Sequence, residues 1–201
     1  MTLNNIEIID SLVSIGAVKF GEFILKSGVK SPIYIDLRIT ISFPKLLNQI
    51  ADALVKLSAD LTFDKIAGIP YTALPIATAF SLLSGKPMIY SRKEKKAYGT
   101  SNQIEGIWKP GETVLIIDDL ITNGESKFET FSLFEKAGLI IKDTIVLIDR
   151  KQGGSERLEK EGYRLFSIIS ISEILERMKE TNQISEFDYN KVKQFLLAAN
   201  V

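Results

Sequence analysis

The sequence contains neither cysteine nor histidine. Without cysteine there are no disulfide bonds, no thiolate nucleophiles and no cysteine ligands for a metal. Without histidine, serine–histidine and cysteine–histidine catalysis are excluded, and so is the usual kind of zinc site. Any proton transfer would therefore depend on Asp, Glu, Lys or Tyr side chains.

The chain also lacks an excess of charge of either sign, because 25 Lys and Arg residues balance 25 Asp and Glu residues. No global field attracts nucleic acid or anionic lipid, so recognition by charge must be local. No apolar run approaches the ~18 residues of a membrane span. The N-terminal residues MTLNNIEIID lack the basic start and apolar run of a signal peptide. We therefore expect a cytoplasmic protein that binds neither nucleic acid nor a membrane.

The chain does contain enough apolar sequence for one domain, since 45% of its 201 residues are hydrophobic. Strand and helix periodicities alternate, which predicts an α/β fold with a central, mainly parallel sheet flanked by helices. The predicted strands lie at 20–28, 31–38, 65–70, 86–92, 113–118, 143–149 and 163–170. The predicted helices lie at 4–18, 43–57, 72–85, 125–137, 154–161 and 172–199, the last interrupted near Ser185.

We expect a single domain over 1–201, divided into a hood, a core and a C-terminal segment. The hood comes largely from 1–40, the core spans about 41–170, and C-terminal helices occupy 171–201. The first two strands are predicted to be antiparallel and, with the C-terminal segment, to cap one end of the sheet.

The string VLIIDDLITNGES at 114–126 sets four apolar residues before two acids, Asp118 and Asp119. Side chains at the carboxyl end of a central parallel strand face the crevice where ligands bind. Main-chain N–H groups of the following loop would converge at a helix N-terminus and favour a phosphate, and Gly124 permits a positive φ or a close approach. The acids would repel bare phosphate, so they require hydroxyl donors or a divalent cation. A phosphorylated ribose with Mg²⁺ satisfies all of these groups.

Other interpretations of this string remain open. One is an acidic turn followed by an ordinary helix that Thr122 or Ser126 caps. Another is a receiver-like or phosphatase-like centre, although those folds normally place the key aspartate after their first strand. The sequence has neither G-x-G-x-x-G nor G-x-x-x-x-G-K-[ST], so nothing indicates a nucleotide site of those kinds.

The string resembles the phosphoribosyl-diphosphate motif of type I phosphoribosyltransferases. The resemblance implies that fold, with the two acids holding the ribose hydroxyls and the loop Thr122 to Ser126 holding the 5′-phosphate. It assigns one continuous run to substrate binding: Asp118, Asp119, Leu120, Ile121, Thr122, Asn123, Gly124, Glu125 and Ser126.

The segment FILKSGVKSPIYIDLR at 23–38 resembles the N-terminal part of orotate phosphoribosyltransferases, which other members of the superfamily lack. Three further segments are similar to the orotate domain of animal UMP synthase: GIPYTALP at 68–75, RKEKKAYG at 92–99 and LIDRKQGG at 147–154. The likeness extends over essentially the whole chain and indicates the orotate subclass.

This likeness implies roles for residues that isolated patterns would not single out. Lys26 would reach the diphosphate or the substrate as a mobile point charge. Arg150 would address a polar edge of orotate with its planar fork of donors. The remaining implied contacts are Tyr34 and Ile35 with orotate, and the main chain of Tyr71 and Thr72 with the diphosphate.

The segment RKEKKAYG concentrates positive charge, with Glu94 as its only acid. Taken alone it is either a solvated loop or a mobile lid, hinged near Gly99 and Gly106, that neutralises a departing diphosphate. The resemblance favours a lid that serves the neighbouring subunit, and it implies catalytic roles for Arg92, Lys93, Lys96 and Tyr98. Lys95 is the less favoured member of this set, because the family often has a neutral residue at its position. Many bacterial members have His where this chain has Tyr98, and a phenol of pKa ~10 is a poor acid or base at neutral pH.

We interpret the sequence as an orotate phosphoribosyltransferase. It would transfer the 5-phosphoribosyl group to orotate with Mg²⁺, and the metal would be held mainly by the substrate near Asp118 and Asp119. Alternatives are a phosphoribosyltransferase for another base, a non-catalytic sensor of phosphoribosyl diphosphate, and a Mg²⁺-dependent phosphatase. The sequence stops at Val201 without a decarboxylase half, so we expect a free-standing homodimer with a separate orotidylate decarboxylase as a candidate partner.

Overall fold

A computed structural model describes residues 2–24, 28–92 and 103–198 of the chain. Within these ranges the helices are α1 (Leu3–Ser14), α2 (Pro44–Leu57), α3 (Ala73–Ser84), α4 (Glu125–Lys136), α5 (Gly154–Lys160), α6 (Ile171–Glu180) and α7 (Glu186–Ala198). The strands are β1 (Val18–Ile24), β2 (Lys30–Ile35), β3 (Lys65–Gly68), β4 (Met88–Ser91), β5 (Ile104–Glu105), β6 (Thr113–Ile121), β7 (Ile140–Asp149) and β8 (Arg164–Ser170). A 3-10 helix, Leu37–Ser42, follows β2.

Six strands form the central sheet in the order β5-β4-β3-β6-β7-β8. All neighbouring pairs are parallel except β4 with β5, which is antiparallel. The strands β1 and β2 form a separate antiparallel hairpin. The predicted α/β class with a mainly parallel sheet is therefore confirmed, and so is the predicted antiparallel start.

Apolar residues on the two faces of the sheet form two cores. On β6, Leu115 and Ile117 belong to a core shared with α1, α2, α3, α6, α7 and the hairpin. Val114 and Ile116 belong to a second core shared with α4 and α5. Because strand side chains alternate between faces, the near-continuous apolar run of this strand is buried on both sides.

Local sequence explains where several helices begin. Pro44 stands in the first turn of α2, where its missing N–H removes no helical hydrogen bond. Ser170 and Glu173 form a capping box at the start of α6. The break predicted near Ser185 lies between α6 and α7, and α7 packs against β2. Over the described ranges, every helix is too short or too polar to span a bilayer.

The structure differs from the sequence prediction at several strand boundaries and in one additional strand. The strand predicted to end at 118 continues to Ile121, so the two acids lie within β6. The second predicted strand ends at Ile35 and a 3-10 helix takes over. A two-residue strand, β5, lies inside the segment predicted to be polar loop, because it pairs with Tyr90 and Ser91 at the sheet edge. The division into hood, core and C-terminal segment stays a prediction.

Candidate active site

A cleft of about 740 Å³ opens at the carboxyl edge of the sheet. Its walls come from the ends of β3, β4 and β6 and from one side of α4. The lining includes Pro70, Arg92, Asp118, Asp119 and Ser126. Both acids of the predicted motif therefore lie at the edge where open α/β sheets bind ligands.

The two adjacent acids point to opposite faces of the sheet. Ile116 lies in the core beneath α4, and Ile117 lies in the core on the other face. Continuing this period of two, Asp118 points toward α4 and Asp119 toward the face that carries the hairpin. The pair therefore presents two carboxylates in different surroundings.

Asp118 is held by hydrogen bonds within the protein. Its Oδ1 accepts from the main-chain N–H of Asp119 at 2.8 Å, and its Oδ2 accepts from Lys127 Nζ at 2.8 Å. The Lys127 ammonium also donates to the carbonyl oxygen of Leu120 at 2.9 Å. Asp118 is 5% exposed and Lys127 1% exposed, so this is a buried ion pair.

The sequence interpretation does not include Lys127, although the helical pattern contains a signal for it. The buried positions of α4 are Lys127, Thr130, Phe131 and Phe134, which follow the spacing of an inward-facing helix stripe. A lysine at the first position of such a stripe requires a buried partner. The acids of the preceding strand, which the sequence places at the same edge of the sheet, are candidates for this partner.

Asp119 is half-buried and lies close to other charges. Burial, followed by the neighbouring Asp118 carboxylate, raises the pKa of Asp119 to about 8, while the Leu120 N–H and the Lys127 ammonium oppose this rise. Its Oδ1 accepts from Leu120 N at 2.9 Å. A carboxyl with such a pKa gains or loses its proton near neutral pH when a ligand binds beside it.

The loop after β6 ends at an uncapped helix N-terminus. Gly124 is the N-cap residue of α4, has a φ of 79° and, as a glycine, provides no side-chain cap. The alternative of an ordinary helix capped by Thr122 or Ser126 is therefore wrong. The Asn123 side chain instead accepts from Glu125 N at 3.2 Å, which shapes the turn.

Residues assigned to the diphosphate lie between β3 and α3. Ile69 and Pro70 line the cleft, and Tyr71 follows with 56% of its surface exposed. The peptide bond between Pro70 and Tyr71 is cis. Thr72 is the N-cap residue of α3 and its side chain makes no cap hydrogen bond. Gly68 packs closely under this turn, since a Cβ there would lie 2.8 Å from Ala77 Cβ.

Residues assigned to orotate lie at the end of the hairpin. Tyr34 is half-buried, and its ring stacks on Phe23 with centroids 5.3 Å apart. Ile35 is 7% exposed and belongs to the first core, so any contact with a base would come from its main chain. Arg38, which the sequence interpretation missed, donates to Tyr34 Oη at 2.9 Å and to both oxygens of Asp36. This hydrogen-bonded fork lowers the pKa of Asp36.

Arg150 is buried without complete pairing. It directly follows β7, and its main-chain N–H donates to Ile121 O at 3.0 Å, beside the end of β6. Its side chain is 5% exposed, and within the described part of the chain no acceptor reaches Nε or Nη2. Burial lowers the pKa of Arg150, but a guanidinium keeps its charge in proteins. Both nitrogens are therefore buried donors without an acceptor among the described residues, and Arg150 is not part of the cleft lining.

Of the predicted lid, only Arg92 belongs to the described residues. Its Nε lies 2.9 Å from Glu105 Oε1, and its main-chain N–H donates to Gln103 O at 2.8 Å. The predicted roles of five further residues concern positions outside the described residues: Lys26, Lys93, Lys95, Lys96 and Tyr98.

The acids of the cleft offer few ligands to a metal ion. Among the residues that the structure describes, no group of three or more acidic side chains is arranged to hold one. Asp118 is paired with Lys127, which leaves the partly exposed Asp119 on β6 and the exposed Glu129 on α4 as cleft carboxylates. This donor set fits Mg²⁺ only if most of its ligands are water or substrate oxygens, which is the usual way Mg²⁺ binds beside phosphates.

Comparison with known proteins identifies the family. A family model described as "Phosphoribosyl transferase domain" matches residues 42–181. The chain is 39% identical over 179 residues to the orotate phosphoribosyltransferase of Caenorhabditis elegans, covering 88% of this chain and 79% of that protein. The chain belongs to the orotate phosphoribosyltransferase family. The resemblance noted in the sequence is thus confirmed.

Longer relatives share the same fold. The UMP synthase of Bos taurus is 44% identical over 191 residues, which is 94% of this chain and 40% of that protein. The structure of Leishmania donovani UMP synthase matches with a TM-score of 0.90 and 38% identity, over 96% of this chain and 42% of that one. This chain therefore spans about two fifths of the length of these UMP synthases. The orotate phosphoribosyltransferase of Aeropyrum pernix matches with a TM-score of 0.75 and 29% identity, over 86% and 99% of the two chains.

Proposed function

We propose that this chain is an orotate phosphoribosyltransferase that converts orotate and phosphoribosyl diphosphate into orotidine 5′-phosphate and diphosphate with Mg²⁺. The observation that carries the proposal is the uncapped N-terminus of α4 lying beside Asp118 and Asp119 in one cleft. An uncapped helix start favours a phosphate, and a carboxylate accepts hydrogen bonds from hydroxyls. A phosphorylated ribose presents both groups.

The 5′-phosphate binds the loop from Thr122 to Ser126 through main-chain N–H groups. Gly124 allows the positive φ that turns this loop into the helix. Asn123, Glu125 and Ser126 are exposed, so a ligand reaches the loop without displacing packed side chains. The acid pair then provides the carboxylate that fixes the ribose, so that its C1′ is held for attack.

The base binds between the hairpin and Arg150. Orotate is a planar anion, and the two unpartnered guanidinium nitrogens of Arg150 suit a carboxylate or a carbonyl edge. Tyr34 offers an aromatic surface for the pyrimidine. In the reaction a ring nitrogen of orotate that has lost its proton forms the bond to C1′ as the bond from C1′ to the diphosphate oxygen breaks. The bonding electrons leave with the diphosphate, which takes up the proton released by the base.

The departing diphosphate requires positive charge. When bound, Mg²⁺ draws negative charge from the diphosphate oxygens, with Asp119 the protein carboxylate nearest to the ribose. The main chain at Tyr71 and Thr72 binds the diphosphate, and Lys26, Arg92, Lys93 and Lys96 supply the cations. Tyr98 donates a hydrogen bond. No enzymic nucleophile is required, in keeping with a chain that lacks Cys and His.

The enzyme works as a homodimer in which each lid covers the partner's cleft. Large exposed apolar side chains support an interface near β4 and β5: Leu82 (82% exposed) and Leu83 on α3, which contacts β4, and Ile107 (85% exposed) just after β5. Exposed apolar patches mark interaction sites. A separate orotidylate decarboxylase as a partner, and the cytoplasm as location, stay predictions from the sequence.

The deciding experiment incubates the purified protein with Mg²⁺, phosphoribosyl diphosphate and each of orotate, uracil, adenine, guanine and hypoxanthine. We expect orotate alone to be consumed, with one diphosphate released per orotate. Consumption of another base instead would indicate a different transferase, binding without turnover would indicate a sensor, and orthophosphate release without a base would indicate a phosphatase. The variant with both Asp118→Asn and Asp119→Asn serves as the control and should not bind phosphoribosyl diphosphate.

A mixing experiment tests the shared lid. Lys96→Ala lowers turnover by removing a lid cation, and Asp119→Asn lowers it by removing a ribose ligand. Subunit exchange between the two variants yields hybrid dimers in which one composite site has both groups, so activity should recover toward a quarter to a half of the wild-type value, as an order-of-magnitude expectation for a two-site enzyme. No recovery after confirmed exchange would assign each lid to its own subunit.

A further inference from the structure

Lys127 is a buried cation in the candidate site that the proposed mechanism does not use. It is 1% exposed, although lysine is almost never fully buried unless it is paired. Its ammonium makes two hydrogen bonds, to Asp118 Oδ2 and to Leu120 O. The ion pair lies directly beside the predicted ligands of the ribose.

These two contacts join both ends of the phosphate loop. The side chain of a helical residue leans toward the helix N-terminus, so Lys127, in the first turn of α4, reaches back toward β6. One ammonium thereby links α4 to the strand at Asp118 and to the carbonyl that precedes the loop. Asp118 extends the link, because its other oxygen holds the N–H of Asp119.

The same contacts make the two acids unequal. The side chain of Asp118 is 8% exposed and its charge is balanced by Lys127. Asp119 keeps a half-buried position in the cleft on the opposite face of the sheet. Lys127 therefore cancels the negative charge of one of the two acids, which reduces their repulsion of an anionic sugar phosphate.

We propose that Lys127 is a positioning residue that divides the acid pair: it anchors Asp118 beneath the phosphate loop, and Asp119 alone binds the ribose hydroxyls. This inference rests on the proposed function, since it concerns the same sugar-phosphate site. It predicts that the negative charge of Asp118 supports substrate binding and stability only by balancing the buried charge of Lys127.

Five variants test this assignment. Lys127→Met keeps the length of the side chain and removes its charge, and Asp118→Asn removes the charge of its partner. The double variant Lys127→Met/Asp118→Asn removes both charges, Asp119→Asn removes the proposed ribose ligand, and Lys142→Met is the matched control at an exposed lysine of β7. For each variant KM and kcat are measured with both substrates, together with Tm and the calorimetric affinity for ribose 5-phosphate.

The positioning role predicts a specific pattern of KM values. Lys127→Met should raise the KM for phosphoribosyl diphosphate about tenfold, with the KM for orotate and kcat within about threefold of wild type. Its Tm should fall by about 10 °C, because a buried charge loses its partner. The double variant should recover most of the Tm and come within about threefold of the wild-type KM, whereas Asp119→Asn should raise that KM at least about a hundredfold with little change in Tm.

Two results would overturn the proposal. One is a wild-type KM for phosphoribosyl diphosphate in Lys127→Met. The other is a double variant that folds but binds as poorly as Asp119→Asn, which would make Asp118 a ribose ligand in its own right. If Lys127→Met does not fold, the double variant is compared directly with Asp119→Asn and with the wild type. If the wild type does not turn over orotate, the proposed function fails, and the ribose 5-phosphate affinities still decide the role of Lys127.

Discussion

Two neighbouring turns at the carboxyl edge of the sheet have similar backbone conformations, but their charged side chains are placed differently. The turns after β6 and β7 both enter a helix through a glycine N-cap with positive φ, Gly124 at 79° and Gly153 at 81°, and neither helix has a side-chain cap. In the first turn the cation, Lys127, is buried against Asp118. In the second, the strand-end acid Asp149 pairs with Lys151, whose side chain is 52% exposed.

The two turns differ in which of their polar and charged groups have hydrogen-bond or ion-pair partners within the protein. The first turn pairs its buried charges internally and leaves main-chain N–H groups at the start of α4, which has 12 residues and therefore a substantial dipole. The second turn begins a helix of only 7 residues but leaves two nitrogens of Arg150 without acceptors in the described structure. Similar backbones thus serve different ligands: the first suits a phosphate, and the second supplies a side-chain fork for a planar anion.

The largest expected effect comes from the contact that joins the two turns. A Cβ on Gly154 would lie 2.4 Å from Thr122 O and 2.6 Å from Ile121 Cγ1. Gly154→Ala must therefore displace the phosphate loop, and we expect the free energy of unfolding to fall by about 3 kcal/mol and ribose 5-phosphate affinity to fall about tenfold. Denaturant unfolding and calorimetry measure both.

The adjacent glycine provides the control for that change. A Cβ on Gly153 meets nothing within 4 Å, so Gly153→Ala introduces only the strain of its positive φ. We expect a loss of about 1–2 kcal/mol in the free energy of unfolding and unchanged ribose 5-phosphate affinity. Equal affinity losses in the two variants would mean that the turns are not coupled through this contact.

The next largest effect separates the ligands of the two turns. Arg150→Met should raise the KM for orotate about a hundredfold, or about 2.7 kcal/mol, because it removes charge-assisted hydrogen bonds. The KM for phosphoribosyl diphosphate should change less than about threefold, and Tm should not fall, since an incompletely paired buried guanidinium contributes little stability. Lys151→Met, which removes the half-exposed cation of the same turn, should leave the orotate KM within about threefold. An equal rise in the KM values for orotate and for phosphoribosyl diphosphate would show that Arg150 does not bind the base specifically.

A third prediction concerns Asp119, the acid of the first turn that is not paired with Lys127. The pKa of Asp119 is about 8 in the folded protein and 3.8 as its ordinary value, so the folded state holds a proton that the unfolded state releases between these pH values. Stability should therefore fall as pH rises toward 8. The groups that act on this carboxyl are Asp118, Lys127 and the more distant Arg38.

Replacing the carboxyl removes this pH dependence. Relative to wild type, Asp119→Asn should gain of the order of 4 kcal/mol in the free energy of unfolding between pH 5 and pH 9, because the folded pKa lies about three pH units above pH 5. Asp60→Asn, at an exposed acid, should gain less than about 0.5 kcal/mol over the same range. Parallel pH profiles for wild type and Asp119→Asn would show that Asp119 titrates at an ordinary pH.

The sequence predicts the first turn better than the second because the signals of the first are local. Apolar residues, two acids and a glycine before a helical stripe are sufficient to predict that Asp118, Asp119 and Ser126 line one crevice, and the structure does bring them to one cleft. Arg150 has no such context, because an arginine at a strand end is usually a surface residue. Its burial depends on packing against β6, which only the fold reveals.

Contacts between elements distant in sequence are the part that the sequence does not predict. Gly154 approaches Thr122 across 32 positions, and no local pattern links them. Lys127 is recognisable only if the apolar stripe of α4 is extended to a charged residue, against the general expectation that lysines are exposed. Asp118 and Asp119 interrupt the apolar run of β6, which weakens the strand signal although pairing with β7 continues to Ile121.

The smallest expected effect concerns the surface contact between the two turns. Arg157 Nη1 lies 3.4 Å from Asn123 O, and its guanidinium lies 5.0 Å from the Phe128 ring centroid, but the side chain is exposed. Arg157→Met should lower the free energy of unfolding by about 0.5–1 kcal/mol and ribose 5-phosphate affinity by twofold to threefold at most. Lys160→Met, on the same helix, should change neither by a measurable amount. If Arg157→Met instead equalled Gly154→Ala in its effect on affinity, the turns would be coupled by this cation and not by close main-chain packing.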